Sequence, residues 1–196
     1  MCGEGNPMER RFRSYQELWL APLTCLVLSG IYAWLALSKE QVLPAGGFYG
    51  HAIGVLGFIL MLSTETLYSL RKRSRQARWG RMADWLKLHI YTGIVGPFMV
   101  LLHSSWKLNG LAGVTLFLTG VIVISGFVGR YIYTRIPRTV DSLEETPLAG
   151  ANQEALKRAR AMLALWHTVH IPIGVVLFTA AGVHIAGALY YATLGR

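Results

Sequence analysis

Six histidines carry most of the chemistry this sequence offers: His51, His89, His103, His167, His170 and His184. All fall in or at the edge of apolar stretches, where an ionisable side chain is costly and is as a rule functional. His89 and His103 are 14 residues apart, and so are His170 and His184. Fourteen residues make four turns at the 3.5-residue period of packed helices, so each pair shares one helix face. Its members stand about 21 Å apart along the axis, one near each surface of a membrane. A lone histidine in such a stretch most often bonds to a neighbouring helix, but that reading does not account for the same spacing twice. Zinc takes three or four protein ligands close together, which a 21 Å separation within a helix forbids. His167 and His170 could chelate a metal locally, yet no Asp or Glu accompanies them. Imidazoles facing each other from two helices suit the two axial positions of a haem iron.

The elements that must position these side chains are long helices. The chain has 196 residues, of which 53% are hydrophobic and 15% charged. A soluble domain carries about a quarter charged residues, so the composition is that of a membrane protein. Crossing a hydrocarbon core takes about 20 apolar residues. Five stretches qualify: Leu18–Leu37, Phe48–Leu70, Leu86–Trp106, Leu111–Tyr133 and Met162–Tyr191. None alternates with the period of two of a barrel strand. The expected fold is therefore all-α, a single integral membrane bundle over residues 1–196 with five transmembrane helices. A polar arm, 1–17, precedes them. A loop, 136–161, joins spans four and five, and its second half, Asn152–Ala161, reads as a helix running into span five. The first span starts late and is long for a cleaved signal peptide, and no small-x-small site follows it. The two cysteines, Cys2 and Cys25, form no Cys-x-x-Cys motif, and Cys2 has no assignable role. No segment has room for a nucleotide-binding or flavin-binding domain.

Basic residues orient the bundle. Sixteen lie before span one, between spans two and three, or between spans four and five; the three others are Lys39, Lys107 and Arg196. The positive-inside rule then places the N-terminus in the cytoplasm and the C-terminus outside. The same distribution argues against a nucleic-acid surface, since the charges form no single patch. Spans three and five run in the same direction, which puts His89 at the depth of His170 and His103 at the depth of His184. Two haems stacked across the membrane are the expectation. Gly93 and Gly174 follow the inner histidines by four residues, and Gly96 lies midway between His89 and His103. They could admit a flat macrocycle, or serve close helix packing. Leu177 occupies the matching midpoint of span five.

The paired His-x13-His motifs, on the second and fourth helices of a four-helix core made by spans two to five, resemble the cytochrome b superfamily. Span one would be an additional N-terminal helix. Leu88-His89, Leu102-His103-Ser104 and the stretch Gly129-Arg130-Tyr131 to Ile136-Pro137-Arg138 look like a bacterial membrane cytochrome b subunit of multi-component redox complexes. The resemblance implies two non-covalent b-type haems with bis-His ligation, His89 and His170 on the inner iron and His103 and His184 on the outer one. Two features of well-known members are missing here: the flavin and nicotinamide domains of ferric reductases and NADPH oxidases, and the Pro-Glu-Trp-Tyr quinol-oxidation motif.

Other residues allow two readings each. His51, at the outer end of span two, would line a quinone pocket, contact the outer haem, or hydrogen-bond at the interface. His167 is the rival inner ligand, but it lies 17 residues from His184 and breaks the match with span three. Glu65 would exchange the proton that accompanies quinone reduction, or pair with Arg71 or another loop arginine. Asp84 reads as a helix-start residue. Arg130, ahead of Arg135, would bind a haem propionate or act as a positive-inside anchor. Trp19, Trp34, Trp85, Trp106 and Trp166 read as an aromatic belt. The expected function is a dihaem subunit passing electrons across a bacterial inner membrane, with direct transfer between the haems. Its expected partners are a quinone, near Glu65 or His51, and iron–sulfur, flavin or multihaem c-type cytochrome subunits. A stand-alone quinol oxidase or metal reductase is the first alternative, and a haem-free membrane anchor or proton pathway the second.

Overall fold

In the computed structural model, residues 16–73, 80–135 and 149–194 are described. They form five helices and, among the described residues, no strand: α1 (Gln16–Ser38), α2 (Phe48–Arg73), α3 (Met82–His103), α4 (Gly110–Arg135) and α5 (Ala149–Thr193). All five are long and apolar enough to cross a membrane. Cys2, Arg10, Arg11, Arg13, Arg75, Arg78, Arg138 and Arg196 lie outside the described residues.

Helix is the form that lets an apolar segment pair every backbone N–H and C=O internally. The hydroxyls within the spans follow the same logic. Those of Thr24, Ser29, Thr115 and Thr119 donate to the carbonyl four residues back, at 2.6–2.8 Å. Pro22, Pro97 and Pro172 sit inside helices, as membrane helices tolerate. Large apolar side chains cover the outside: Phe117 is 71% exposed and Leu165 68%. A surface this apolar, on helices of spanning length, suits hydrocarbon rather than water as its solvent.

The helix boundaries depart from the apolar runs at two instructive places. Span three was expected to reach Trp106, but α3 ends at His103. Ser105 and Trp106 take positive φ values of 48° and 62°, left-handed backbone that no helix can continue. The Ser105 hydroxyl then donates to the Leu43 carbonyl at 2.6 Å, pinning the turn to the α1–α2 connection. At the other end of the chain, α5 is one helix of 45 residues, about 68 Å long. It contains Asn152–Ala161 as expected and starts three residues earlier. An exposed i,i+4 ion pair, Glu154 with Arg158 at 3.3 Å, lies on this extension.

The helices group into two units, Met1–Leu108 with α1–α3 and Asn109–Arg196 with α4 and α5. In the first, α1 packs on α3 through a small core of Ala21, Val95 and Met99, edged by Cys25, Leu28, Tyr91 and Ile94. Thr24 and Tyr91 share a hydrogen bond of 3.0 Å across that contact. The α2–α3 pair is antiparallel and closer. In the second unit α4 and α5 pack antiparallel, with Leu177 (2% exposed) and Thr119 (3%) buried.

Candidate functional site

Steps of seven residues organise the α2–α3 contact. Gly50, Gly57 and Thr64 on α2 oppose His103, Gly96 and His89 on α3, running antiparallel. At the centre the glycines face each other. A Cβ on Gly57 would stand 2.9 Å from the Gly96 carbonyl oxygen, and one on Gly96 would stand 3.0 Å from that of Gly57. Gly96 is thus a packing glycine for α2, the second of the two uses open to it from sequence. Gly93, 3.8 Å from Thr64 by the same measure, also faces α2.

That close approach puts both α3 histidines against the backbone of α2. His103 Nδ1 lies 2.8 Å from the Gly50 carbonyl oxygen. A carbonyl only accepts, so this contact places a proton on Nδ1, the tautomer in which Nε2 is the ligating nitrogen. The ring fits because Gly54 has no side chain: a Cβ there would come within 2.7–2.9 Å of three ring atoms. His89 repeats the arrangement more loosely, with Nδ1 3.3 Å from the Thr64 carbonyl oxygen. Here residue 68 is tyrosine, and its ring lies 4.9 Å from that of His89. The Thr64 and Thr92 hydroxyls hydrogen-bond beside it. Fixing a ligating imidazole through a backbone carbonyl on its other nitrogen is a recurrent outer-shell device in metal proteins.

Two further residues named from sequence join these histidines. Half-buried Glu65 is within electrostatic reach of His89 and accepts a 3.4 Å hydrogen bond from the Ser69 hydroxyl. His51 is exposed, with its ring centroid 6.2 Å from that of His103. Asp84 stands in the first turn of α3, as expected.

In the second unit the half-buried His170 is held by side chains instead. Its Nδ1 lies 3.0 Å from the Ser125 hydroxyl of α4. The Trp166 indole stacks on it, centroids 4.5 Å apart and planes 29° from parallel. Trp166 Nε1–H donates to the Ser125 carbonyl at 2.7 Å, and the indole occupies space that any Cβ on Gly129 would fill. Trp166 thus packs against α4, whereas Trp19, Trp34 and Trp106 are 65–67% exposed. His167 turns to its own helix, with Nδ1–H donating to the Leu163 carbonyl at 2.9 Å. His184 is half-buried and has no hydrogen-bond partner among the described residues. Gly174 is in ordinary contact distance of Ile122, and Leu177 is buried. Arg130 is half-buried beside Gly129; Arg135 ends α4.

The residues that sequence reasoning did not single out are positioning ones, Gly54, Gly57, Thr64 and Ser125, while Gly129 entered only through the Gly129-Arg130-Tyr131 stretch and not as the seat of an indole. The seven-residue series Gly50, Gly57, Thr64 was a readable signal, since it mirrors the histidine series on α3. Nothing comparable marks Ser125. Among the described residues no group of three His, Cys, Asp or Glu side chains converges. In the first unit His89 and His103, and in the second His170, each have Nδ1 engaged, as an imidazole that ligates through Nε2 does. Comparison with protein-family models, with curated proteins and with solved structures finds no match to this chain.

Proposed function

We propose that this chain is a dihaem membrane cytochrome subunit of the cytochrome b type, carrying electrons across a bacterial inner membrane within a larger redox complex. The observation that carries the reading is the 14-residue histidine spacing found twice, joined by the Nδ1 contacts of His89 and His103 to α2 carbonyls. Those contacts give both rings the tautomer an axial ligand needs. His89 and His170 would hold one haem, and His103 and His184 the other. When bound, a haem with two axial imidazoles supplies a one-electron iron centre with no open position, suited to electron transfer rather than oxygen binding. Arg130, half-buried and cationic, would pair with a propionate. The protein's own work is to hold the rings in register, keep them from water and dock partners at each surface. Quinone is the natural partner on the Glu65 side, where a carboxyl group lies next to His89, or on the His51 side, where an exposed imidazole lies next to His103. An iron–sulfur, flavin or multihaem c-type subunit would serve as the other partner.

The test is a pyridine haemochrome assay with reduced-minus-oxidised spectra on the purified chain, its His103→Ala and its His170→Ala variants. The reading expects two b-type haems per chain in the parent and about one lost, or turned high-spin, in each variant. A colourless parent overturns it, and the histidines then belong to a membrane anchor or a proton path. Quinol or metal-ion turnover by the isolated chain would instead make it a stand-alone reductase.

A further inference from the structure

Nδ1 of His89, His103 and His167 each lies against a backbone carbonyl, whereas Nδ1 of His170 lies against a hydroxyl. A carbonyl oxygen is a fixed acceptor that no substitution removes, and it admits a single tautomer. The Ser125 hydroxyl opposite His170 both donates and accepts, so it fits an imidazole protonated on either nitrogen. It is also a side chain, and so can be altered without moving the backbone. Around it the packing is specific. The Ser125 carbonyl takes the Trp166 indole N–H, the indole lies flat on His170, and Gly129 leaves the space in which the indole sits. One residue of α4 thus anchors both the ring that stacks on His170 and the Nδ1 of His170 itself.

We propose that Ser125 is a positioning residue for His170: its hydroxyl accepts the Nδ1 proton, and with Trp166 it sets the ring's orientation and the electron richness of its Nε2. This rests on the haem reading above. Accepting a hydrogen bond from Nδ1–H makes an imidazole a more basic ligand and stabilises the higher oxidation state of its metal. Because the Ser125 hydroxyl faces His170, the effect belongs to the one haem that His170 would hold. The haem held by His89 and His170 would then have a permanent carbonyl behind one ligand and a replaceable hydroxyl behind the other, while the second haem would have the Gly50 carbonyl behind His103.

Redox titration of the full-length chain with low-temperature EPR tests this, comparing the parent with Ser125→Ala, Ser125→Thr and Gly129→Leu. Ser125→Ala should raise the potential of one haem only, by about a tenfold change in its reduced-to-oxidised ratio at the parent midpoint. The haem affected should be the one lost in His170→Ala. Ser125→Thr keeps a hydroxyl and should restore the parent value. Gly129→Leu drives the indole off His170 and should broaden or shift the low-spin EPR signal of that same haem. If Ser125→Ala loses the haem outright, recovery in Ser125→Thr supports the assignment, and loss in both variants makes Ser125 a helix-packing residue and overturns it. Two haems with unchanged potentials in Ser125→Ala overturn this inference and leave the dihaem reading standing. A haem-free parent removes both.

Discussion

His103 can rest its Nδ1 proton on the Gly50 carbonyl because nothing grows from the Cα of residue 54. In a helix the carbonyl of residue 50 points along the axis toward residue 54, and a side chain there screens it from a second donor. Three atoms of the His103 ring stand within 3 Å of where a Cβ would be, so even alanine displaces the ring. The ring is short and held at its Cα, and so has no flexible end with which to give way. Gly54→Ala should therefore mimic His103→Ala: haem per chain falls from two to about one, and the centre that remains is the one retained in His103→Ala. Pyridine haemochrome and EPR on both variants check this, and two unaltered haems in Gly54→Ala would show that the ring's seat is not needed. His89 is the contrasting case. With Tyr68 in place of a glycine its contact is longer, 3.3 Å against 2.8 Å, and its ring is held partly by the tyrosine face.

Between helices, both histidine contacts depend on one quantity, the α2–α3 distance, and the Gly57–Gly96 crossing sets it. Membrane helices gain little from hydrophobic burial against each other, so backbone proximity through small residues is what holds such a pair. Gly96→Leu inserts a side chain where a Cβ alone already meets Met61, the Gly57 carbonyl and the Met61 amide at 2.8–3.2 Å. Overpacking of this kind costs about 1–3 kcal/mol. It should also lengthen the Gly50 and Thr64 contacts together, so that both haems weaken. Gly93→Ala, whose added methyl meets Thr64 at an ordinary 3.8 Å, should be tolerated. Unfolding in detergent followed by circular dichroism, with haem content measured on the same samples, separates the two outcomes; equal stability in Gly96→Leu would discard the seam. This element scale is also where the sequence stopped being legible. Helix number and span positions follow from apolar length, which is local. The face shared by His89 and His103 follows from helical period, which is local too. Which residues lie opposite that face depends on the register between antiparallel helices, and the turns fix it. Ser105 and Trp106 in left-handed backbone end α3 three residues early, and apolarity alone carried the expected span past them. Trp166 illustrates the same gap: a tryptophan near a span end looks like an interface anchor until the neighbouring helix presents a glycine to it.

Across the whole chain, the assignment of histidines to shared depths requires only that spans three and five cross in the same direction. That parity holds if α1 to α5 all cross, whichever side the N-terminus occupies. The side itself comes from charge. Arg71, Lys72 and Arg73 close α2, Arg81 and Lys87 flank the start of α3, Arg130 and Arg135 close α4, and Lys157, Arg158 and Arg160 lie on the first turns of α5. The connections on the other side hold Lys39 and Lys107. On that bias we propose that the basic loops face the cytoplasm. Labelling with a membrane-impermeant maleimide tests parity and side at once. In a Cys2→Ser, Cys25→Ser background, Lys39→Cys and Lys107→Cys should react in intact cells, and Arg73→Cys only after permeabilisation. A fully reversed pattern would invert the molecule and move Glu65 with His89 to the external side, while His89 would still share its depth with His170. Lys39→Cys and Lys107→Cys reacting from opposite sides is the more damaging result. It would mean that α2 or α3 does not cross, so that His89 and His170 lie at unequal depths and cannot clasp one iron.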